Sequence, residues 1–565
     1  MTFLGVFHVE ILHAQYNSDI VGLTWYDLQT NASVQNRLYI FDDGSAAATW
    51  TMGFSTPTFP DRGTGYNYFN GISWNSIPDT TVEGEKSGWP SVAPFGESGE
   101  MIVSHMSTGD LILSKRINKG FGPWESDTLH GPEPDIKLCW PRLATSGINN
   151  EKIHIIALTY PYYPYHGQIS ALLYYRSEDG GNNWDKQHYL FPELNSDHYL
   201  GFSADCYSWA KPIGDTLAFA VGSRVVDLLV MKSTDGGGSW EKTIVWEHPY
   251  PFFDWNITIT SDTVFCCDNS LSIALDGNGK VHLAFGCGIF YHPEVGSWWG
   301  YLPPQDGIGY WNEDMPVFSG THDALKRDSL ESTGNLIGWS QDIDGNGQVE
   351  FLDDYMYYKT DGICTMPYLA AGDHDDIYLV YSGLTELYDN AIYNYRHIWF
   401  RSSPDGGATW GNFTDLTGDL VTGFEEYVYP AIDYNNGSMA ALYQEDPDPG
   451  LAWNEDHPFQ ENRIRYLDLN DYIIPPGGTV DKPERKTISI FPNPASDHII
   501  IHSGTSVRKL TLLDGSGRWL KEYHLPGNAE NSTVYFEFGS IPPGVYMLIA
   551  DMDGYCFTEK IIVMK

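Results

Sequence analysis

The chain has little positive charge, no long apolar run and no paired-cysteine motif, and each absence excludes a class of protein. Its 565 residues hold 32 Lys and Arg against 74 Asp and Glu, which gives a net charge of −42. A field of this sign repels phosphates, so nucleic acid is excluded as a partner. No segment is as long as a transmembrane helix. None of the seven cysteines belongs to a CxxC pair, so no zinc ribbon is indicated and buried free thiols are expected.

Runs of Ala, Leu, Glu and Lys that would favour long helices are also missing. Gly (57 residues), Pro (33) and aromatic residues (15%) are abundant instead. This composition favours many short strands joined by turns, and the length suits one large β domain with an appendage. Residues 1–15 resemble a shortened or degraded secretion signal, with Ala14 where a cleavage site would lie. A basic n-region is absent there, and His8 and Glu10 interrupt the apolar run.

One pattern recurs along residues 16–470. It consists of an apolar strand, a turn rich in Gly, Asp or Asn, and an alternating strand, which predicts a β-hairpin. A third strand that ends in a polar turn and a Trp follows most of these hairpins. Seven such units begin near Asn36, Trp89, Trp140, Cys206, Ser270, Thr365 and Val428. Four antiparallel strands per unit, repeated along the chain, predict an all-β fold, the β-propeller.

The number of blades depends on how the ring closes. The last unit shows three strands, whereas residues 19–28 form an apolar strand that precedes the first hairpin without a partner. Pairing this strand with the last unit closes a seven-bladed propeller. Six blades remain the alternative, because an N-terminal hairpin could add an extra layer outside the ring.

Three of the turns share the pattern Ser-x-Asp-Gly-Gly-x-x-Trp, at residues 177–184, 233–240 and 403–410. They resemble the Asp box of bacterial-neuraminidase repeats. The Asp carboxylates are expected to cap the turn by accepting backbone N–H bonds, and the Trp rings to pack between strands. The residues with these structural roles are Asp179, Trp184, Asp235, Trp240, Asp405 and Trp410. Such turns specify the fold and carry no chemistry.

The unit that begins at Ser270 contains an insertion at about residues 288–364. Within it, "DIDGNGQVEFLD" fits the twelve-residue calcium loop of EF-hands and dockerin-like repeats, with oxygen ligands alternating along a tight turn. The predicted ligands of a structural Ca²⁺ are Asp342, Asp344, Asn346, Gln348, Glu350 and Asp353. A solvated acidic turn without metal is the alternative, and Asp at the last position is shorter than the usual Glu.

The same insertion holds Trp298, Trp299 and Trp311. If these rings are exposed, they form a platform for sugars or peptides. The alternative is a small core beside the calcium loop, since a long insertion needs some apolar filling.

The composition changes after residue 470. Residues 471–487 form a linker rich in Pro, Gly and charge, and short strands resume over residues 488–565, which predicts a small β-sandwich. The segments "FPNPAS", "GVYML" and "EKIIVMK" resemble the C-terminal sorting domain of type IX secretion substrates in Bacteroidetes. The resemblance implies recognition by the type IX secretion machinery and a protein that is secreted or attached to the outer-membrane surface.

The Asp boxes also make the propeller resemble sialidases. That resemblance implies three arginines for a sugar carboxylate, a Tyr–Glu nucleophile pair and an Asp acid/base. No Arg-Ile-Pro motif stands in the first unit, where "NRLYIF" is nearest, so catalytic residues cannot be assigned. Arg62, Arg142 and Arg396 are candidate ligand-binding residues, with salt bridges to acidic side chains as the alternative.

Two functions therefore stay open. The first is a secreted propeller that binds an extracellular glycan or protein, and the second is an exo-acting glycoside hydrolase of sialidase-like type. Arginines and paired carboxylates that converge on the central channel would favour the enzyme, whereas a plugged channel would favour binding. The pair Glu425 and Glu426 is expected to lie in a solvated loop.

Overall fold

The structure is a computed structural model. It describes residues 12–13, 18–250, 252–295, 304–352, 356, 358–360, 362–418, 423–474, 488–491, 495–503, 507–514, 518–525, 532–539, 541–552 and 556–564. The chain divides into two compact units, one of residues 1–417 with 423–476 and one of residues 418–422 with 477–565. Strands predominate in both units, as the composition predicts.

Two short strands precede the first sheet of the larger unit: β1 (Leu12–His13) and β2 (Asp19–Thr24). Sheet 1 contains β3 (Leu38–Ile40), β4 (Ala46–Met52) and β5 (Gly63–Phe69). Sheet 2 contains β6 (Ser87–Phe95), β7 (Gly99–Met106), β8 (Leu111–Arg116) and β9 (Glu125–Leu129). Sheet 3 contains β10 (Leu138–Ser146), β11 (Lys152–Thr159), β12 (Leu172–Ser177) and β13 (Lys186–Leu190).

The second half of the unit repeats this arrangement. Sheet 4 contains β14 (Tyr207–Trp209), β15 (Leu217–Ser223), β16 (Val226–Ser233) and β17 (Glu241–Trp246). Sheet 5 contains β18 (Val264–Leu275), β19 (Val281–Phe290), β20 (Ile308–Asn312) and β21 (Leu336–Gly338). Sheet 6 contains β22 (Cys364–Ala371), β23 (Ile377–Asp389), β24 (Asn394–Ser403) and β25 (Thr414–Asp415), with β1 added at its edge. Sheet 7 contains β26 (Glu426–Asn435), β27 (Ser438–Asp446) and β28 (Asn462–Asp468), with β2 added at its edge.

Helices are short. An α-helix, α1 (Arg327–Thr333), lies between β20 and β21, and 3-10 turns occur at Pro192–Leu194, Ala452–Asn454 and Asn470–Tyr472. No helix in the described part of the chain is long and apolar enough to cross a membrane.

The sheets of the larger unit form a closed ring. The first strand of each sheet contacts the first strand of the next, and β26 of sheet 7 contacts β3 of sheet 1. These seven first strands are called the inner strands. The strand β2 pairs antiparallel with β28, so the N-terminal strand closes the last sheet as the sequence predicts. The all-β propeller prediction is confirmed, and the described residues of the ring form seven sheets.

Most inner strands bend at a bulge near their beginning. At the bulges of sheets 2, 3, 6 and 7 a residue with positive φ is followed by a proline: Trp89, Trp140, Met366 and Tyr429 have φ of 58°, 51°, 53° and 56°. Such backbone is costly for a side chain with a Cβ, and it persists only where packing fixes it. Proline has no N–H to leave unpaired at the ladder gap that a bulge creates.

The smaller unit contains two sheets. One has β29 (Ile488–Phe491), β30 (His498–Ser503) and β33 (Ser532–Glu537), and the other has β31 (Val507–Asp514), β32 (Trp519–His524), β34 (Gly544–Met552) and β35 (Cys556–Val563). Side chains of both sheets share one core, with Ile499 and Phe536 from the first and Leu512 and Leu548 from the second. The predicted β-sandwich is confirmed.

The six cysteines that the structure describes in the ring are buried. Five of them, Cys139, Cys206, Cys267, Cys287 and Cys364, are free thiols, and the sixth is Cys266. Burial raises the pKa of the Cys206 thiol to about 12, so it stays protonated at neutral pH.

Candidate ligand-binding face

The ring has two distinct faces. The inner strands begin at one face, which also carries the loops between the second and third strands of each sheet, and we call it the loop face. They end at the other face, which carries the hairpin turns and the Asp boxes, and we call it the turn face. This assignment follows from the antiparallel pairing of consecutive strands within each sheet. The added edge strand β1 pairs parallel with β25 and does not affect it.

Residues 25–37, which follow β2, fill the channel at the loop face, and we call them the plug. All but Trp25, Asn31 and Asn36 are buried. The plug exchanges hydrogen bonds with inner parts of several sheets: Gln29 with Thr51 of sheet 1, Asn36 with Val92 of sheet 2, Ser33 with Arg142 of sheet 3 and Leu271 of sheet 5, and Arg37 with Tyr429 of sheet 7. A segment that bonds to strands all around the ring must cross its axis.

Asp205 is the main anchor of the plug. Its carboxylate accepts hydrogen bonds from the backbone and side-chain amides of Asn31 at 2.9 and 2.8 Å, and its backbone oxygen accepts one from Ser33 N at 3.0 Å. The Asp205 carboxylate also accepts a hydrogen bond from Nε1 of Trp89, at the bulge of sheet 2, at 2.9 Å. Arg142 Nη2 lies 2.9 Å from the Asp205 carboxylate, and both side chains are fully buried.

Arg142 and Arg396 do not fit the ligand-binding role predicted from the sequence. Arg142 is sealed beneath the plug against Asp205. Arg396 is 1% exposed and donates to the backbone oxygens of Ile363 and Gly362 at 2.8 and 3.0 Å. The salt-bridge alternative therefore describes Arg142 with Asp205 and also Arg396, whose Nε lies 3.9 Å from Glu426 Oε1.

Arg62 is the arginine of the three that stays partly exposed. Its Nη1 donates to the Tyr26 hydroxyl at 3.1 Å, and its guanidinium lies over the rings of Tyr26 and Trp89 at 5.0 and 5.3 Å. It is held at the loop face beside the plug, because Nε also donates to the Ser87 backbone oxygen at 2.8 Å.

A row of rings runs past Arg62 across the loop face, from sheet 7 to sheet 3, with successive ring centroids 5.0–6.3 Å apart. We call it the aromatic row, and its members in order are Trp453, Tyr26, Trp89, His105, Trp140, Tyr160 and Tyr162. Its ends face solvent, since Trp453 is 46% exposed and Tyr162 76%. Burial lowers the pKa of His105 to about 3, so the middle of the row is neutral.

The tryptophans of the insertion do not form the predicted platform in the described part of the chain. Trp311 lies in β20 with 3% exposure and packs into the core that sheets 4 and 5 share. The insertion supplies the two outer strands of sheet 5, β20 and β21. Trp311 belongs to β20, and its side chain lies on the side of the strand that faces the core. Trp298 and Trp299 lie outside the described residues.

At the turn face the channel is open as a cavity of about 600 Å³, lined by residues from all seven sheets. An ion pair spans it, because Lys211 of sheet 4 lies 3.1 and 3.2 Å from the two carboxylate oxygens of Asp433 of sheet 7. Lys211 also lies 4.3 Å from the centroid of the Tyr39 ring. Burial raises the pKa of Asp433 above its usual value despite this lysine.

The three Asp-box turns share one geometry at the turn face. Each Asp carboxylate accepts the backbone N–H four residues ahead, at 2.8 Å for Asp179, 2.9 Å for Asp235 and 2.7 Å for Asp405. Each also accepts the hydroxyl of the Ser two residues before it.

The Asp-box tryptophans pack edge-on against rings of the sheets. The ring centroid of Trp184 lies 6.3 Å from that of Tyr175 in its own sheet. Trp240 and Trp410 lie 5.4 Å from Tyr174 and Tyr310 of the preceding sheet. The turns therefore help to fasten neighbouring sheets to each other.

The predicted calcium loop is a tight turn whose carboxylates accept its own amides. Asp342 accepts from Gly345 N at 2.8 Å and Gly347 N at 2.7 Å, and Asp344 accepts from Asn346 N at 2.9 Å. Asp353 lies outside the described residues.

The sequence does not point to Glu386 as part of this loop. Glu386 is buried and accepts Ile343 N at 2.7 Å and Glu350 N at 2.9 Å, so it fastens both ends of the loop to sheet 6. Carboxylate oxygens of Asp342, Asp344 and Glu386 lie within 4.8 Å of one another. No local motif identifies Glu386, because it reaches the loop through the fold.

Paired carboxylates lie at the loop-face end of sheet 7. Glu426 is buried, in contrast to the solvated loop expected, and it accepts Arg396 N at 2.6 Å and the Tyr358 hydroxyl at 2.8 Å. Burial raises its pKa to about 7. Glu425 is partly exposed and lies beside Glu445. Its pKa is raised mainly by burial and, to a smaller extent, by the hydrogen bond with the Glu445 carboxylate.

Comparison with known proteins identifies the tail. A family model described as a secretion system C-terminal sorting domain matches residues 489–564. No curated protein matches the chain.

Several solved structures resemble the ring from a distance. A polysaccharide lyase, ulvan lyase PL25, is 13% identical with a TM-score of 0.42 and covers 75% of this chain and 93% of its own. A Trypanosoma rangeli sialidase in complex with the inhibitor DANA is 10% identical with a TM-score of 0.31 and covers 83% of each chain. An alpha-L-arabinofuranosidase from Fusarium graminearum is 11% identical with a TM-score of 0.32, and the match covers 67% of this chain and 92% of the arabinofuranosidase. These likenesses carry no conclusion about activity. The sorting domain does show where the protein is located: the chain is a secreted or outer-membrane-attached protein.

Proposed function

We propose that the ring is an extracellular glycan-binding module and that glycan lies along the aromatic row of the loop face. The observation that supports this most is the plug. The plug occupies the channel mouth, where a sugar acid would have to contact Arg142. The groups that a ligand can still reach at the loop face are the exposed rings and Arg62.

The aromatic row suits a chain of sugar rings. The apolar faces of sugars stack on Trp and Tyr, and the exposed ends, Trp453 and Tyr162, offer two separated stacking positions. Arg62 lies between them and can donate to hydroxyl or carboxylate oxygens. Pairing of the guanidinium with Tyr26 and Ser87 holds it in place before a ligand arrives.

A glycan array probed with the full chain, with and without EDTA, tests the proposal. A hit is then measured by calorimetry with Trp453→Ala, Arg62→Met and, as a matched control, Phe121→Ala, an exposed aromatic of the turn-face loop that is 77% exposed. We expect at least tenfold weaker binding in the first two and no change in the control. Equal loss in all three, or a glycan whose binding ignores Trp453 and Arg62, contradicts the proposal, and no glycan signal at all favours a protein ligand.

We also propose that the loop at residues 342–353 binds a structural Ca²⁺. Support comes from the carboxylates of Asp342 and Asp344 in the loop and of Glu386 in sheet 6, which lie close together. Ca²⁺ would replace repulsion among them with coordination. A rise in the unfolding midpoint with added Ca²⁺, absent in Asp342→Asn, is expected, and an unchanged midpoint in the wild type contradicts it.

Glu425 and Glu445 keep the glycoside hydrolase as the second candidate. Glu425 has a raised pKa beside an ionised carboxylate, and a carboxyl that keeps its proton near neutral pH can act as a general acid. A panel of chromogenic glycosides, including a sialoside, tests it. Turnover that Glu425→Gln abolishes would establish the hydrolase, and turnover absent from the wild type removes it.

A further inference from the structure

Three side chains of metal-ligating type meet at the loop face beside the plug. Asp27 belongs to the plug, Asp446 ends β27, and His457 lies in the loop between β27 and β28. One oxygen of each carboxylate and one imidazole nitrogen all lie within 4.8 Å of one another. The two aspartates are 1% exposed and the His457 side chain 6%. Residues far apart in the sequence are thus brought together in a buried place.

Each of the three offers one buried atom that has no hydrogen bond: Oδ1 of Asp27, Oδ2 of Asp446 and Nε2 of His457. His457 Nε2 lies 3.8 Å from Asp446 Oδ2, which is beyond hydrogen-bonding distance. Buried polar atoms are nearly always paired, so three unpaired atoms facing each other indicate a missing shared partner.

The other polar atoms of these side chains are occupied and fix their orientation. Ala452 N donates to Asp27 Oδ2, and Gln460 Nε2 donates to Asp446 Oδ1 at 2.9 Å. His457 Nδ1 lies 3.0 Å from the Pro458 backbone oxygen, so it carries the proton that it donates. The lone pair of Nε2 then points at the carboxylates, which is how metal-binding histidines are oriented.

The charge balance also favours a cation. Two buried carboxylates repel each other, and a divalent ion between them removes both the repulsion and the desolvation cost.

The geometry points to a divalent transition-metal site made of Asp27 Oδ1, Asp446 Oδ2 and His457 Nε2. Two carboxylate oxygens and an imidazole nitrogen suit Zn²⁺ or Mn²⁺, whereas Ca²⁺ takes oxygen ligands only. The ion ties the plug to sheet 7 and its loop. This site is independent of the glycan proposal and of the loop at residues 342–353.

The test uses the full chain, stripped with a chelator and then titrated with Zn²⁺ and Mn²⁺ by calorimetry, with metal content measured after gel filtration. One ion per chain should be retained, and His457→Gln should weaken its binding at least tenfold. The matched control is His322→Gln, since His322 lies 3.9 Å from the single carboxylate of Asp262. Neither that variant nor Asp342→Asn should change Zn²⁺ binding.

The proposal is overturned if the wild type retains no more Zn²⁺ than His457→Gln. In that case His457 is an imidazolium that pairs with Asp446. Should His457→Gln fail to fold, the conservative Asp446→Asn takes its place. The imidazole NMR signals of His457 in the wild type give a further readout: they must shift on Zn²⁺ addition, and unchanged signals reject the site.

Discussion

The two ends of the central channel are built from the same seven inner strands, but one end is filled and the other is open. At the loop face the plug fills the channel and is bonded to several sheets, whereas at the turn face a cavity of about 600 Å³ remains, crossed by the pair of Lys211 and Asp433. One end is closed by chain and the other is narrowed by two side chains.

The difference follows from where the chain crosses between sheets. Strand β2 lies at the outer edge of sheet 7, and the next strand, β3, is the inner strand of sheet 1. This connection runs from rim to axis at the loop face, as the connections from β9 to β10 and from β13 to β14 also do, and it is the one that contains the plug. No connection of this kind is required at the turn face, where each hairpin returns to its own sheet. The loop face is therefore the end of the channel that connecting chain can fill.

The largest loss of stability at the closed, loop-face end is expected when Asp205 is replaced. Asp205→Ala leaves Arg142 buried without its carboxylate partner and removes the anchor of Asn31, so we expect a loss of about 3–5 kcal/mol in the free energy of unfolding. Asp215→Ala at the turn face breaks an exposed pair with Lys152 and should cost less than about 1 kcal/mol. Urea denaturation measures both, and similar losses would contradict the contrast between the two ends.

A smaller loss is expected for Lys211→Met at the turn face. The variant leaves the Asp433 carboxylate with less compensation, at a cost of about 1–3 kcal/mol. A carboxyl whose folded pKa is raised binds its proton more tightly when folded, so its contribution falls as pH rises. The deficit of the variant should therefore grow from pH 4 to pH 8 in thermal unfolding. A deficit that shrinks over this range would show that the lysine does not neutralise Asp433.

The Asp boxes at the turn face provide a third test of the contrast between the two ends, with a smaller expected effect. Asp235→Ala removes hydrogen bonds to Ser233 and Ser239 and should cost about 1 kcal/mol. Hydrogen bonds from Ser239 lower the pKa of Asp235 to about 2, so this contribution is present at neutral pH and is lost as pH falls toward 2. Chemical denaturation of the single and double variants with Asp405→Ala should give additive losses, since the turns lie in different sheets. Strong non-additivity would mean that the boxes act through a shared element.

The smallest effect on stability is expected at the exposed end of the aromatic row. Trp453→Ala should change the free energy of unfolding by no more than about 0.5 kcal/mol, because the ring is 46% exposed. It should nevertheless weaken glycan binding. A large loss of stability in thermal unfolding would show that Trp453 serves the fold rather than a ligand.

Local patterns in the sequence predict the ring well. Hairpins and Asp-box turns are encoded within a few residues, so their repeat identifies the propeller, and the unpaired strand at residue 19 predicts how the ring closes. The plug could not be predicted in this way. Its residues Gln29, Thr30, Asn31, Ser33 and Gln35 have the composition of a surface loop, and they are accommodated in the channel only because inner strands supply hydrogen-bond partners.

The candidate sites depend even more on long-range contacts. Arg142 and Arg62 are of one residue type, and only the position of the plug makes the first structural and the second accessible. Asp27, Asp446 and His457 share no motif, because they come from the first and last parts of the ring. Only the fold brings such residues together.

Hydrogen–deuterium exchange of the full chain tests the closed loop-face end most directly. If residues 25–37 fill the channel, their amides, with that of Ser33 foremost because it donates to Asp205 O at 3.0 Å, exchange as slowly as those of the inner strands. Exchange of this segment as fast as that of the exposed loop at residues 76–80 would show that the channel is open at both ends.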